Sequence, residues 1–324
     1  MSLTLLSTKF NVPSTGTKGV QRLRLLQMLD ESFGQNVSLI LVCGPAGYGK
    51  TTIVSEWLRV SKKVQARQYA WLTLERGDDD LTRFLTYFVT ALQRICPGIG
   101  TGVLKMLQTH KPSPFPVLGT LLVNELSEIH EPFFPVLDDY HLLFFDAIHG
   151  FISFPVEHQP QQMCLVLITR ADPLLPLVRL RARGQLVELR QDDLCFTPGE
   201  VAEYVSKTTD LELSPEQEVF LAQQTEGWIA RLQLAVISMR NSRDRCAFFK
   251  AFSGDHGFIA DYLADEVLDR LSEPLRTFLL QTSILKRLSA SPCEAVTRQG
   301  RIKSRPAIVL WGVIFSGRPE QIVC

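Results

Sequence analysis

The chain has no excess of charge of either sign. Its 324 residues carry 34 Lys and Arg against 34 Asp and Glu, so the formal net charge at pH 7 is zero. A neutral chain lacks the general positive field that attracts nucleic acid or an anionic membrane. A partner of either kind would need a local basic patch.

The sequence also lacks paired cysteines and long apolar segments. Its 7 cysteines are scattered without a C-x-x-C pair, and an odd number argues against a disulfide framework. The N-terminus has no basic stretch followed by an apolar core, and the longest late apolar run, 307–315, is too short to span a bilayer. These absences predict a cytoplasmic protein with reduced thiols and no membrane partner.

What the sequence does contain is one complete phosphate-binding pattern. The apolar run 38–43 is followed by Gly44, Pro45, Ala46, Gly47, Tyr48, Gly49, Lys50, Thr51 and Thr52. The spacing G-x-x-x-x-G-K-T, after a buried strand and before a helix, is typical of a phosphate-binding loop. The glycines let backbone N–H groups surround an anion, and the N-terminus of the following helix favours the same charge.

Two side chains of this loop have specific roles in the predicted site. Lys50 is expected to reach the β- and γ-phosphates of a nucleotide, and the Thr51 hydroxyl is expected to ligate Mg²⁺. Apolar residues follow at helical spacing, so the loop opens a helix with one apolar face. The alternative, a chance glycine turn, requires every position of the pattern to match by accident.

An acidic motif follows the loop at a suitable distance. The apolar run 133–137 ends in Asp138 and Asp139. A carboxylate at the carboxyl end of a parallel strand can complete the Mg²⁺ shell, and a second one can activate water. Asp138 is therefore the metal candidate and Asp139 the catalytic candidate. Because proline removes a hydrogen-bond donor from a central strand, Pro135 predicts that this strand begins only at Val136.

Two arginines and one acidic run each have two interpretations. Arg170 ends the predicted strand 163–170, where it either senses the γ-phosphate or forms a structural ion pair. Arg22 either lies near the nucleotide or belongs to a solvated helix face with Arg24. The aspartates 78–80 are predicted to form a polar turn whose last member, Asp80, caps the next helix with charge that suits the helix dipole, rather than a metal site.

The order of the predicted elements indicates an α/β fold. Apolar runs at 38–43, 69–74, 133–138, 163–170 and 186–189 alternate with helical patterns. Together with the phosphate loop, this order predicts a P-loop NTPase with a parallel sheet and helices on both faces. From Thr197 onward the pattern is helical, with capping boxes at Thr197 and Ser214.

With these motifs assembled, the chain resembles the ATP-binding half of the MalT-like, LuxR-type transcriptional regulators, a branch of the STAND class of P-loop NTPases. The resemblance covers roughly residues 3–297. It rests on several motifs that occur in the order of the family. In this chain they are 5–10, 20–25, 44–52, 136–141, 169–173, 180–186, 196–198 and 226–228.

The resemblance implies a switch controlled by ATP and ADP. In that family the ADP-bound form is compact, whereas a small-molecule inducer and ATP favour an open form that self-associates and activates transcription. Slow ATP hydrolysis resets the switch. By resemblance, Lys50 and Thr51 would hold phosphate and Mg²⁺, and Asp138 and Asp139 would be the Walker B acids. Arg170 would sense the γ-phosphate.

The resemblance also sets the expected domains, and in it Gly227 belongs to the lid turn that faces the nucleotide. The expected domains are an N-terminal segment 1–37, a P-loop core 38–195, an all-α lid 196–245, a winged-helix-like segment 246–297 and an atypical tail 298–324. The tail is expected to reflect truncation or a shifted reading frame. The family continues into inducer-binding repeats and a helix-turn-helix, so DNA is an expected partner only through such additional domains.

Two other functions stay open at this stage. One is a self-sufficient P-loop ATPase or kinase, which would need an acceptor site or an arginine from a partner. The other is an inactive truncated fragment.

Overall fold

A computed structural model of the chain describes residues 4–14, 19–32, 36–65, 67–107, 114–209 and 213–241, together with Thr277 and Gln281. The chain divides into a first unit, Met1–Ala230, and a second unit, Arg231–Cys324. The predicted winged-helix-like segment and the predicted tail lie outside the described residues, apart from Thr277 and Gln281.

The described residues form one parallel β-sheet. Its strands are β1 (Leu39–Cys43), β2 (Gln68–Thr73), β3 (Phe133–Asp138), β4 (Leu165–Thr169) and β5 (Leu186–Leu189). Their order across the sheet is β2-β3-β4-β1-β5, and each pairing is parallel. All carboxyl ends therefore lie at one edge, which is where open α/β sheets bind ligands. The prediction of an α/β fold with a parallel sheet is confirmed.

The helices of the described residues occur between the strands and after β5. They are α1 (Leu23–Glu31), α2 (Lys50–Val60), α3 (Lys62–Gln65), α4 (Leu81–Leu92), α5 (Thr101–Leu107), α6 (Phe115–Ser127), α7 (Asp146–His158), α8 (Leu177–Ala182), α9 (Gln191–Leu194), α10 (Pro198–Thr209), α11 (Pro215–Thr225) and α12 (Ile229–Asn241). The sequence did not predict α3, α5, α8 and α9, which have 4 to 7 residues and are too short to show periodicity. Within the described ranges, no helix combines the length and the apolar character that crossing a membrane requires.

Apolar side chains cover both faces of the sheet, because successive side chains of a strand point to opposite sides. In β1, Leu39 and Leu41 belong to an apolar cluster that includes residues of α4, α6 and α7. Ile40 and Val42 belong to a second cluster that includes residues of α1 and α2. This arrangement explains why the strands are unbroken apolar runs rather than alternating ones.

The strand β3 contradicts the expectation that Pro135 delays it to Val136. The strand begins at Phe133, and Pro135 stands in register with Ala70 of β2. A parallel strand offers the N–H groups of alternate residues to its two neighbours, so a proline removes one donor from one side. The Phe133 N–H donates to the Gln162 carbonyl at 2.9 Å on the β4 side, so the donor that Pro135 lacks would also face β4, where regular pairing covers only Val136 and Leu137.

The predicted capping boxes are present at the starts of α10 and α11. The Glu200 N–H donates to Thr197 Oγ1 at 3.2 Å, and the Thr197 N–H donates to Glu200 Oε2 at 3.0 Å. Ser214 and Gln217 form the same reciprocal pair. The residues after β5 are therefore helical where the sequence predicted helices, while their role as a lid stays a prediction.

The three aspartates of the acidic run 78–80 have different partners. Asp80 accepts the Arg83 N–H at 2.8 Å and caps α4, as predicted. Asp79 Oδ1 instead accepts two N–H groups of the loop 144–145, each at 2.8 Å. The local sequence does not reveal these partners of Asp79, because they lie 65 and 66 positions further along the chain.

Asp78 forms a buried ion pair with Lys9, with 0% and 2% of their side chains exposed. Asp78 also accepts the Glu75 N–H at 2.8 Å and Arg83 Nε at 3.0 Å. Charges this deep are tolerated because each has charged and hydrogen-bonding partners. The pair fixes the short 3-10 helix Ser7–Phe10 to the loop after β2.

The buried pair predicts a large effect of one substitution. Asp78→Ala is expected to lower the free energy of unfolding by about 3–5 kcal/mol, because Lys9 loses its nearest counter-ion while still buried. Asp80→Ala removes a helix cap and is expected to cost about 1 kcal/mol. Urea unfolding followed by circular dichroism measures both variants. Equal losses would contradict the role of Asp78 as a buried anchor.

Candidate functional site

The predicted phosphate-binding and acidic residues meet at the carboxyl edge of the sheet. The loop 44–49 joins β1 to α2, Asp138 ends β3, and Arg170 directly follows β4. Because β4 lies between β1 and β3, one strand separates the loop from the acidic motif. Arg170 stands at the tip of that intervening strand.

Two glycines give the loop its curvature. Gly47 and Gly49 have φ angles of 74° and 75°, a conformation that residues with a Cβ atom rarely adopt. The helix α2 then begins at Lys50, and the first N–H groups of a helix have no partner within it. The loop and the helix N-terminus can together surround an anion with backbone donors.

Lys50 lies beneath the loop that precedes it. Its side chain is buried, and Nζ donates to the Pro45 carbonyl at 2.7 Å. Burial, reinforced by the positive charge of Arg170, lowers the pKa of Lys50 to about 8. A buried cation that is also repelled by a second cation favours a bound anion, because the anion offsets both the repulsion and the loss of water.

Asp138 and Thr51 are in direct contact. The Thr51 hydroxyl donates to Asp138 Oδ1 at 3.1 Å, although the two residues are 87 positions apart. Asp138 is 3% exposed and also accepts the Asp139 N–H at 3.0 Å. Burial, reinforced by the charge of Asp139, raises the pKa of Asp138 to about 7. Carboxyl groups with so perturbed a pKa concentrate at functional sites.

The Thr51 and Asp138 oxygen atoms fit a divalent cation. Mg²⁺ binds oxygen ligands in octahedral geometry at about 2.1 Å, so that two neighbouring ligand atoms lie about 3 Å apart. Thr51 Oγ1 and Asp138 Oδ1 are separated by 3.1 Å. These are the two residues that the sequence named as metal ligands.

Asp139 differs from its neighbour in exposure and in backbone conformation. Its φ and ψ angles are 58° and 36°, in the left-handed region, which is uncommon outside glycine. Its side chain is 36% exposed and lies 3.8 Å from His141 Nδ1. Strained backbone of this kind occurs often at functional sites. Of the two consecutive carboxylates, Asp138 is enclosed and Asp139 is open to solvent.

The position of Arg170 agrees with either interpretation of it. The preceding Thr169 carbonyl accepts the Gly44 N–H at 3.3 Å, which holds this strand end beside the loop. The charge of Arg170 acts on Lys50. The γ-phosphate sensor role stays a prediction.

Arg22 is not on a solvated helix face. Its side chain is 4% exposed, its guanidinium lies 4.4 Å from the centre of the Phe196 ring, and Nη2 donates to the Cys195 carbonyl at 2.9 Å. Arg24 is half-buried, and its Nε donates to Glu200 Oε1 at 3.1 Å. The solvated-face interpretation was wrong because the partners of both arginines lie about 170 positions further along the chain. Contact of Arg22 with a nucleotide stays a prediction.

A tight turn follows α11 and contains Gly227. The φ angle of Gly227 is 67°, and its carbonyl accepts the Phe196 N–H at 2.8 Å. A Cβ atom at this position would lie 2.8 Å from both the nitrogen and the oxygen of the Phe196 backbone. Only glycine fits a position with this φ angle and this spacing.

The next residue, Trp228, brings this turn onto the phosphate loop. Its indole Nε1 donates to the Ala46 carbonyl at 3.0 Å, and its ring stacks on Tyr48 with 6.2 Å between ring centres. The Ala230 N–H donates to the Gly47 carbonyl at 3.2 Å. The resemblance placed Trp228 in the motif 226–228 beside the lid turn, but it did not predict this contact, because no local pattern indicates a bond between an indole and a carbonyl 182 positions away.

Comparison with known protein sequences identifies relatives of one kind. The family profile described as the MalT winged helix domain matches residues 264–305. Over 287 residues the chain is 33% identical to the HTH-type transcriptional regulator MalT of Serratia proteamaculans and to that of Yersinia pestis. The match covers 88% of this chain and 31% of each relative, so the chain spans about a third of their length.

Comparison with solved structures supports the fold. A Walker-type ATPase of Pyrococcus abyssi has a TM-score of 0.51 and 13% sequence identity, over 90% of this chain and 87% of that chain. At so low an identity the likeness concerns the fold alone.

The Gly227 turn predicts an effect that an ordinary glycine would not show. Gly227→Ala is expected to lower the free energy of unfolding by about 1–3 kcal/mol, because it forces a Cβ into a left-handed residue packed against backbone. Gly199→Ala is the matched control, since a Cβ there meets no atom within 4 Å and alanine favours the helix. Thermal unfolding of both variants measures the difference, and an unchanged Gly227→Ala protein would contradict the packing described.

Proposed function

The chain belongs to the MalT-like P-loop NTPases, and from this premise we propose that it binds ATP and ADP and uses slow ATP hydrolysis to reset a conformational switch. The observation that best supports nucleotide binding is the hydrogen bond of 3.1 Å between Thr51 and Asp138. It joins the phosphate loop to the acidic motif across the intervening strand β4. In P-loop NTPases the same Mg²⁺ ion is held by a Ser or Thr of the phosphate loop and by a Walker B aspartate, so these two side chains must lie next to each other.

Each residue of the site has a distinct task in the proposed reaction. Lys50 binds oxygen atoms of the β- and γ-phosphates, which its burial and its proximity to Arg170 favour. Thr51 and Asp138 hold Mg²⁺, whose charge stabilises the phosphate oxygens during transfer. Asp139, which is the more exposed carboxylate, accepts a proton from the attacking water. Arg170 contacts the γ-phosphate and so distinguishes ATP from ADP.

The proposal extends to the regulatory role of the larger relatives. These relatives are named HTH-type transcriptional regulators, and this chain spans 31% of their length. We propose that the NTPase region supplies the switch and that DNA is bound by another part of the protein. A small-molecule inducer and self-association in the ATP-bound state belong to the same proposal.

The first test is nucleotide binding by the wild-type protein and by Lys50→Ala. Loss of a charged hydrogen-bond donor to phosphate is worth about 1.5–3 kcal/mol, so ADP and ATP are expected to bind about 10- to 100-fold more weakly. Lys62→Ala, which removes an exposed lysine of α3, is the control and is expected to bind normally. Isothermal titration calorimetry with Mg²⁺ present measures all three proteins. Absence of binding by the wild type would favour the inactive fragment.

The second test is hydrolysis by Asp139→Asn. Removal of a general base is expected to slow ATP hydrolysis about 100-fold or more, whereas ADP binding is expected to change little because Asp139 holds neither phosphate nor metal. Asp192→Asn, in which an exposed carboxylate of α9 is lost, is expected to hydrolyse ATP at the wild-type rate. Phosphate release measures the three rates. A wild-type turnover near the usual enzyme value of about 10 s⁻¹ would favour a self-sufficient ATPase instead of a switch.

A further inference from the structure

Two neighbouring carbonyl groups of the phosphate loop accept hydrogen bonds from the residues 228–230 that follow α11. The Ala46 carbonyl accepts the Trp228 indole N–H at 3.0 Å. The Gly47 carbonyl accepts the Ala230 N–H at 3.2 Å. One of these donors is a side chain, so its contribution can be removed without altering the backbone.

These bonds fix the direction of two peptide units. A trans peptide is planar, and its C=O and N–H groups point in opposite directions. The described residues contain no cis peptide bond. When the Ala46 carbonyl points toward Trp228, the N–H of the same peptide unit, which belongs to Gly47, points the opposite way. In the next peptide unit, the Gly47 carbonyl points toward the Ala230 N–H, so the Tyr48 N–H points away from Ala230. Both N–H groups belong to the arc with which a phosphate loop surrounds its anion.

We propose that Trp228 is a positioning residue for phosphate recognition, whose indole N–H holds the Ala46–Gly47 peptide so that the Gly47 N–H faces the β-phosphate. The inference rests on the proposed nucleotide site. Trp228 acts through the loop backbone and touches the phosphate only through it.

The backbone of Trp228 and its indole ring each have a further contact. The Trp228 N–H donates to the Thr225 carbonyl at 2.9 Å, and the Trp228 ring stacks on Tyr48 with an angle of 25° between the rings. Tyr48 is buried, and its hydroxyl accepts Gln191 Nε2 at 3.1 Å. A donor fixed in this way costs little further ordering when it orients the loop.

The proposal makes the affinity for phosphate depend on the turn 226–230. When the turn contacts the loop, the N–H groups of Gly47 and Tyr48 already point toward the anion site before the anion binds. When the turn moves away, the two peptide units can rotate. Binding must then order them, which weakens the affinity for phosphate. Docking of the turn and binding of the β-phosphate therefore strengthen each other.

A purely structural role of Trp228 predicts something different. An indole that only fills space would, on removal, weaken every ligand of the site to the same extent. A positioning role predicts a loss for ligands that carry a β-phosphate and none for ligands that lack it. The comparison of ADP with AMP separates the two cases.

The test is the affinity of Trp228→Phe for ADP and for AMP, measured by competition with a fluorescent ADP analogue in the presence of Mg²⁺. Phenylalanine keeps an aromatic ring beside Tyr48 and removes the N–H donor. ADP is expected to bind about three- to tenfold more weakly, the value of one hydrogen bond. AMP is expected to bind as in the wild type, so the preference for ADP over AMP falls by the same factor.

The matched control is Trp71→Phe. Trp71 donates its indole N–H to Thr73 Oγ1 at 2.8 Å in β2, which lies at the edge of the sheet, three strands away from β1. This variant loses a similar hydrogen bond and is expected to keep the wild-type preference for ADP. Urea unfolding of both variants establishes that each is folded under the conditions of the binding measurement.

The outcomes distinguish the inference from the function on which it rests. If the wild type binds no ADP, the proposed function fails and the inference fails with it. If the wild type binds ADP and Trp228→Phe retains the preference for ADP over AMP, the positioning role is refuted while nucleotide binding stands. A parallel loss of ADP and AMP affinity refutes it as well.

A second measurement covers the case in which Trp228→Phe does not fold. In wild-type protein with ¹⁵N-labelled tryptophan, the indole N–H resonance of Trp228 is expected to shift more with ADP than with AMP, because a bonded Gly47 N–H polarises the Ala46 carbonyl. The Trp71 resonance identifies shifts that are not specific to the loop. Equal shifts of the Trp228 resonance with the two nucleotides would refute the proposal.

Discussion

An anion is held by backbone N–H groups only if these groups converge on one place and no side chain fills the space between them. Much of the architecture follows from this constraint. The end of β1 and the start of α2 meet at one edge of the parallel sheet. Between them, Gly47 and Gly49 have positive φ angles and carry no Cβ atom that could fill the space for the anion. The contact between Thr51 and Asp138 then adds an oxygen pair that fits a cation beside the anion.

Features that depend on neighbouring residues in the sequence were predicted well. The phosphate loop, the strands and the caps at Thr197 and Ser214 each depend on a short stretch of sequence, and the structure contains all of them. Features that depend on distant partners were not. One of the two interpretations of Arg22 placed it on a solvated face, yet it is buried against Phe196, and no local property of the sequence around it could have indicated that partner.

In the candidate site, too, the sequence predicted the residues that belong to local motifs and missed the contacts between distant parts of the chain. The sequence named Thr51 and Asp138 because each belongs to a recognisable motif, and their separation of 3.1 Å depends on strand order that the sequence pattern does not fix. Trp228 entered only as part of the motif 226–228 that carries the resemblance. Its importance lies in a single bond to the Ala46 carbonyl, which becomes visible only when the turn after α11 is seen against the loop. Pairings across long stretches of chain thus carry the information that local patterns lack.

The strand order also has a consequence for biosynthesis. Both sheet neighbours of β1, namely β4 and β5, come later in the chain, and Leu39 pairs with Leu165 and Leu186. At the usual rate of about 5–20 residues per second, β1 leaves the ribosome roughly 6–25 s before its first partner exists. During that time an apolar strand and the loop attached to it have no sheet to join. Until synthesis has passed β5, the nascent chain therefore exposes an unpaired apolar strand, which is the kind of segment that promotes aggregation of incomplete chains.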